Sequence, residues 1–162
     1  MAAFPSPLSG ASFFQLGYVT RDLPHAMALW RTRYGIDDFL SFDSRDFAEP
    51  GATGPFVKVA LAYHGDVMVE LIQPDADDPG LYADALRADG GVMLHHLGYL
   101  VDEARFATLE SDCAALGIAT PIIRTSGVSY LYADTRADTG LFTELVFPGE
   151  QGERLFAAVP RF

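Results

Sequence analysis

The sequence predicts an α+β fold built from two tandem β-α-β-β-β modules. The strongest sign is a repeated pentapeptide, Gln15-Leu16-Gly17-Tyr18-Val19 returning as His96-Leu97-Gly98-Tyr99-Leu100. A helical segment follows each copy and stops at a Gly-Ile pair, Gly35-Ile36 in the first half and Gly117-Ile118 in the second. Each half then closes on a similar apolar run, Val69-Glu70-Leu71-Ile72-Gln73-Pro74 and Thr143-Glu144-Leu145-Val146-Phe147-Pro148. Self-similarity of this kind marks a duplicated supersecondary unit. The 162 residues therefore read as a single domain of two modules, within the size one core supports.

In the first module, about 12–74, Phe13 to Thr20 is a strand by its apolar content. Asp22-Leu23-Pro24 starts a helix, since proline suits the first turn. Ala26, Leu29, Trp30 and Tyr34 follow at helical spacing, and Gly35 supplies the stop. Strands are expected at Phe39 to Asp43, Phe56 to Tyr63 and Asp66 to Gln73, the last two joined by a tight turn at His64-Gly65.

A polar linker at 75–91 carries a short helix near Leu81 to Arg87. It begins Asp75-Ala76-Asp77-Asp78-Pro79-Gly80, the opening of a calcium loop. Its twelfth position is Leu86 where a bidentate glutamate is required, so it is read as a solvated linker. The second module, about 92–148, repeats the order. Its strand runs from Met93 to Val101 and its helix from Glu103 to Leu116, with further strands at Thr120 to Arg124, Ser129 to Ala133 and Leu141 to Phe147. The tail, 149–162, forms a last turn of helix around Leu155, Phe156 and Val159.

Composition removes whole classes of function. With 49% hydrophobic and 20% charged residues, the chain has apolar surface enough to fold unaided. Eleven basic against 22 acidic residues leave a formal charge of −11, which opposes binding to nucleic acid or to anionic lipid. The start, Met1-Ala2-Ala3-Phe4-Pro5, has neither the basic nor the apolar segment of a signal peptide, and no run of apolar residues is long enough to span a bilayer. The expected setting is the cytoplasm. Cys113 is the only cysteine, which excludes an intrachain disulfide and thiolate metal clusters. At helical spacing from Phe106, Leu109 and Leu116 it reads as a core residue. Ten of the eleven basic residues are arginine, with Lys58 alone, so a bound anion would meet guanidinium forks. No glycine-rich phosphate loop or GxSxG elbow occurs.

Four polar residues in strand interiors carry the chemistry. Side chains two apart share a strand face. Gln15 thus sits with Phe13 and Gly17, Glu70 with Met68 and Ile72, His96 with Leu94 and Gly98, and Glu144 with Phe142 and Val146. A carboxylate among apolar neighbours must be paired, protonated or bound to a metal. Two glutamates, a histidine and a glutamine at equivalent places of two repeats make a mixed oxygen and nitrogen set. Zinc, nickel, cobalt, manganese or iron accept such a set. Each residue alone also fits a plainer role, as a solvent-facing strand glutamate or a hydrogen-bonded core histidine. His95 points away from His96, Tyr18 and Tyr99 pack under the helices, and His25 at a helix start and His64 in a hairpin turn are expected to be exposed.

The repeat, the element order and these four positions resemble the vicinal oxygen chelate superfamily, which includes glyoxalase I, methylmalonyl-CoA epimerase, extradiol dioxygenases and bleomycin-resistance proteins. The resemblance covers about Phe13 to Pro148. It implies a half-open mixed β-barrel with a cleft between the modules, and one divalent metal ion in that cleft held by Gln15, Glu70, His96 and Glu144. The ligand combination is similar to glyoxalase I, and the stretch Glu70 to Val101 is similar to the epimerase. Both relatives remove a proton from carbon next to a carbonyl through a metal-stabilised enediolate. The implied activity is that of a metal-dependent isomerase, epimerase or lyase acting on a small molecule, with Glu144 or Glu70 as the base. A homodimer is expected by analogy of fold. Val19 stands where glyoxalase I has its glutathione arginine, and Gly54-Pro55-Phe56 where the epimerase has a second base, with Glu49 the nearest acid. Two other readings stay open. A non-catalytic drug binder of the bleomycin-resistance kind suits the acidic charge, and a ring-cleaving dioxygenase would need a His, His, Glu triad on iron.

Overall fold

In a computed structural model, residues 8–48, 50–53, 55–125 and 127–162 are described. The N-terminal stretch Met1 to Pro5, together with Glu49 and Gly54, lies outside them. The fold is α+β, in the order β1 (Ser12–Val19), α1 (Leu23–Tyr34), β2 (Leu40–Asp43), β3 (Val57–His64), β4 (Val67–Pro74), β5 (Met93–Leu100), α2 (Glu103–Phe106), α3 (Leu109–Ala115), β6 (Ile122–Arg124), β7 (Ser129–Ala133), α4 (Arg136–Thr139), β8 (Phe142–Phe147) and α5 (Gly149–Ala157). Among the described residues no helix is long and apolar enough to cross a membrane.

The described residues divide into two compact units, Gln15–His95 with Ala158–Phe162, and the stretch ending at Phe14 with His96–Ala157. In the first unit the strands run in the order β2-β3-β4-β1, with β1 parallel to β4 and the others antiparallel. α1 starts where Asp22 accepts a hydrogen bond from His25 N at 2.9 Å and the Gln73 amide oxygen accepts one from Leu23 N at 2.8 Å. Two of the backbone donors that every helix start exposes are thereby satisfied. It stops at Gly35, whose φ of 72° is the left-handed conformation that glycine adopts without penalty. Its buried stripe, Leu23, Ala26 and Trp30, packs with Ile36 and Phe39 against Ala60, Ala62, Val69 and Leu71. These strand residues alternate with a second set on the opposite face, which leaves Met68, Glu70 and Ile72 pointing away from α1.

The second unit repeats the plan in the order β5-β8-β7-β6, with β5 parallel to β8. One face carries Leu131, Ala133, Leu145 and Val101 against Leu109 and Cys113. The helix expected as one piece over Glu103 to Leu116 is broken into α2 and α3. Thr108 is the cause: its hydroxyl donates to the Arg105 carbonyl at 3.1 Å and accepts from the Arg105 guanidinium at 2.8 Å, competing with the helical backbone bond. Arg105 also pairs with Asp112, so one side chain clips the two pieces together. Leu116, expected on the buried stripe, is exposed, because α3 ends at Ala115 and the chain turns through Gly117.

Smaller differences lie in the short helices. A 3-10 helix at Ser44–Phe47 is started by the Asp43 carboxylate on Arg45 N. The linker helix is a 3-10 helix at Gly80–Ala85, whose Leu81 and Tyr82 cover Val19 and Ile72. α4 lies where a loop is expected. The tail forms a nine-residue helix rather than a single turn. Gly152 lets α5 approach Val128, since a Cβ there would stand 3.2 Å from Val128 Cγ2 as well as 2.8 Å from Pro148 Cβ one turn back. Val159 lies beyond that helix, in the segment that bonds Tyr63: Tyr63 N donates to Pro160 O at 2.8 Å and Phe162 N to Tyr63 O at 3.0 Å.

Candidate functional site

In the first unit, β1 and β4 lie side by side with Gln15 registered on Met68 and Gly17 on Glu70. Residues in register share a face, so Gln15, Gly17, Met68 and Glu70 stand together on the side away from α1. Gln15 is 4% exposed, and Glu70 is half-buried. The Gln15 amide nitrogen donates to Met68 Sδ at 3.7 Å, a weak acceptor. Its Oε1 has no hydrogen-bond partner among the described residues. An unsatisfied buried carbonyl costs about 1–3 kcal/mol, so this oxygen is suited to receive a donor or a cation.

In the second unit the same geometry recurs. β5 and β8 are parallel with His96 registered on Phe142 and Gly98 on Glu144. His96 is fully buried and Glu144 nearly so. Nε2 of His96 lies 3.4 Å from Glu144 Oε2. This face turns away from α2 and α3, as the Gln15 face turns away from α1. In each unit a polar residue of the first strand is followed two places on by a glycine, and that glycine faces a glutamate of the last strand. Glycine in a strand interior leaves room for close approach of another group.

The other candidates sit apart from this chemistry. His95 is buried on the opposite side from His96, with Nε2 3.4 Å from the Leu81 carbonyl and its ring 4.9 Å from that of Tyr82. It anchors the linker. Tyr18 packs its ring 4.9 Å from Trp30, and Tyr99 joins the cluster under α3. Cys113 is buried in that cluster, and burial pushes its thiol pKa up, the reverse of what a nucleophilic cysteine needs. His25 and His64 are exposed.

One group was not singled out in the sequence. Tyr132 on β7 is registered on Glu144, is 2% exposed, and holds its ring edge-on to His96 at 5.1 Å. The alternation Tyr130-Leu131-Tyr132 is its signal, since it puts both tyrosines on the Glu144 face and Leu131 in the core.

Glu70, His96 and Glu144 each offer an atom of the kind a metal ion takes, and Gln15 adds an amide oxygen. Carboxylate and imidazole ligands together suit borderline divalent ions.

A family model described as the glyoxalase/bleomycin resistance protein/dioxygenase superfamily matches residues 14–119. No curated protein matches the chain significantly. Among solved structures, methylmalonyl-CoA epimerase in complex with methylmalonyl-CoA and NH4+ has a TM-score of 0.58 at 17% identity, covering 86% of this chain and 96% of its own. The methylmalonyl-CoA epimerase of Mycobacterium tuberculosis has a TM-score of 0.58 at 18% identity, covering 98% and 97%. A variant of the Streptomyces coelicolor epimerase in complex with 2-nitronate-propionyl-CoA gives 0.57 at 18% identity, covering 86% and 95%. At these identities the likeness is one of fold.

Proposed function

The chain belongs to the glyoxalase/bleomycin resistance protein/dioxygenase superfamily, and on that premise we propose that it is a metal-dependent isomerase, epimerase or lyase that removes a proton from carbon next to a carbonyl of a small molecule. The observation that carries this reading is the duplicated register: Glu70 opposite Gly17 with Gln15 two places before, and Glu144 opposite Gly98 with His96 two places before. A structural pair of buried acids has no need of that repetition. A ligand set does, because a divalent ion takes donors from more than one strand.

The residues fit the group. Gln15, Glu70, His96 and Glu144 are the proposed ligands of one divalent ion, and the unsatisfied Gln15 oxygen is suited to receive it. Such an ion would supply positive charge where an oxyanion develops as the proton leaves. The protein's own part is proton transfer: Glu144 or Glu70 accepts the proton from carbon and returns it. His96 Nε2 stands 3.4 Å from Glu144 Oε2, so the two donors already lie side by side. The identity of the metal is left among zinc, nickel, cobalt, manganese and iron. The proposed setting is a cytoplasmic homodimer, checked by light scattering of the purified protein.

Metal-loaded protein incubated with candidate hydroxy-ketones and thioesters in deuterated water is expected to place deuterium on the carbon next to the carbonyl. Glu144→Gln should abolish the exchange if Glu144 is the base, and Glu70→Gln if Glu70 is. Substrate that binds without exchange would support the drug-binder reading, and oxygen consumption with ring opening would support the dioxygenase.

A further inference from the structure

We propose that Tyr132 is a positioning residue for His96, fixing the imidazole plane so that Nε2 stays aimed at Glu144 and at the ion that both would bind. This deepens the metal reading, on which its functional half rests. The geometry lies within one unit. Tyr132 is registered across from Glu144 on β7, so its side chain rises on the same face beside the carboxylate. Its ring centroid lies 5.1 Å from that of His96 with the planes at 76°, an edge-to-face contact of the favoured kind.

Phe142, in register with His96 on the intervening strand β8, is 3% exposed, and its ring lies 6.2 Å from Tyr132. Tyr130 stands edge-on to Tyr132 at 6.1 Å. Tyr132 is itself held by aromatic neighbours, so it can hold the imidazole in turn. The torsion that swings an imidazole ring is broad when nothing packs against it. A ligand histidine free to turn would spend time with its nitrogen away from Glu144. In metal sites a hydrogen-bond acceptor often fixes the ligand ring, and an aromatic ring packed against the imidazole restrains the same torsion.

The experiment uses the full-length protein and three substitutions at one position. Tyr132→Phe keeps the ring, while Tyr132→Leu and Tyr132→Met remove it. Leu131→Ala, on the same strand but in the core under α3, serves as a control for lost stability alone. Carbon-proton spectra of the His96 ring in the metal-free protein should show one sharp set of signals in the parent, Tyr132→Phe and Leu131→Ala. They should be broadened or doubled in Tyr132→Leu and Tyr132→Met. Affinity for Co2+ should fall about 10- to 100-fold in those two variants only, the size found for groups that orient metal ligands.

Sharp His96 signals with parental Co2+ affinity in both ring-less variants would overturn the proposal. So would the same losses in Leu131→Ala, or losses in Tyr132→Phe equal to those in Tyr132→Leu. Parent protein that takes up no Co2+ overturns the metal reading alone, and the ring signals then still decide whether Tyr132 positions His96.

Discussion

Glu70 and Glu144 each look across a parallel strand pair at a glycine, and each shares its face with one polar residue of that neighbouring strand. The four residues were legible in the sequence because a strand alternates strictly, so a polar residue among apolar ones on the same face stands out without any structure. Tyr132 was not, since a tyrosine in a strand is ordinary and only its register with Glu144 gives it meaning. Cys113 follows the same logic in reverse. Helical spacing placed it in the core, where the structure finds it buried with a raised thiol pKa. A raised pKa leaves little thiolate at neutral pH, and thiolate is the reactive form. Ellman's reagent is therefore expected to label native protein very slowly and guanidinium-unfolded protein fast. Rapid labelling of the native state would show that Cys113 is reachable and reactive.

Elements were legible where the signal is local and obscured where a side chain overrides it. Asp22, the proline after it and Gly35 mark both ends of α1 in the sequence, and all three act as expected. Asp22→Ala should cost about 1 kcal/mol, read as a lower urea midpoint by the fluorescence of Trp30, which packs between Tyr18 and Tyr34 on this helix. An unchanged midpoint would mean that the Gln73 amide is cap enough.

The break between α2 and α3 escaped the sequence because periodicity continues through it while the Thr108 hydroxyl redirects the backbone. Arg105 clips the two pieces and holds the Asp112 carboxyl below its ordinary pKa. A carboxyl whose pKa is lowered on folding stabilises the fold above the ordinary carboxylate range and loses that contribution as pH falls through the folded value. Asp112→Asn should flatten the loss of stability on acidification relative to the parent, in parallel urea titrations at neutral and acidic pH. Identical acid sensitivity in the two proteins would show that the pair is too well solvated to matter.

At the scale of the molecule, duplication was visible from a repeated pentapeptide, and the structure gives each unit the same strand plan with its polar face turned away from its helices. What the repeat could not reveal is where the tail goes. α5 belongs with the second unit, and the last five residues, Ala158–Phe162, return to the first to bond Tyr63. Two of the 22 acidic residues behind the −11 charge are the proposed ligands Glu70 and Glu144. A bound cation would neutralise them, so a saturating ion should raise the melting temperature by mass action, with less effect in Glu144→Gln.

The central claim is that both repeats donate to one ion, and calorimetric titration of metal-free protein with Zn2+ tests it most directly. The expected result is a stoichiometry of about one ion per chain, with affinity lowered both by Glu70→Gln in the first unit and by His96→Ala in the second. Binding that survives either substitution unchanged, or no binding at all, would contradict it.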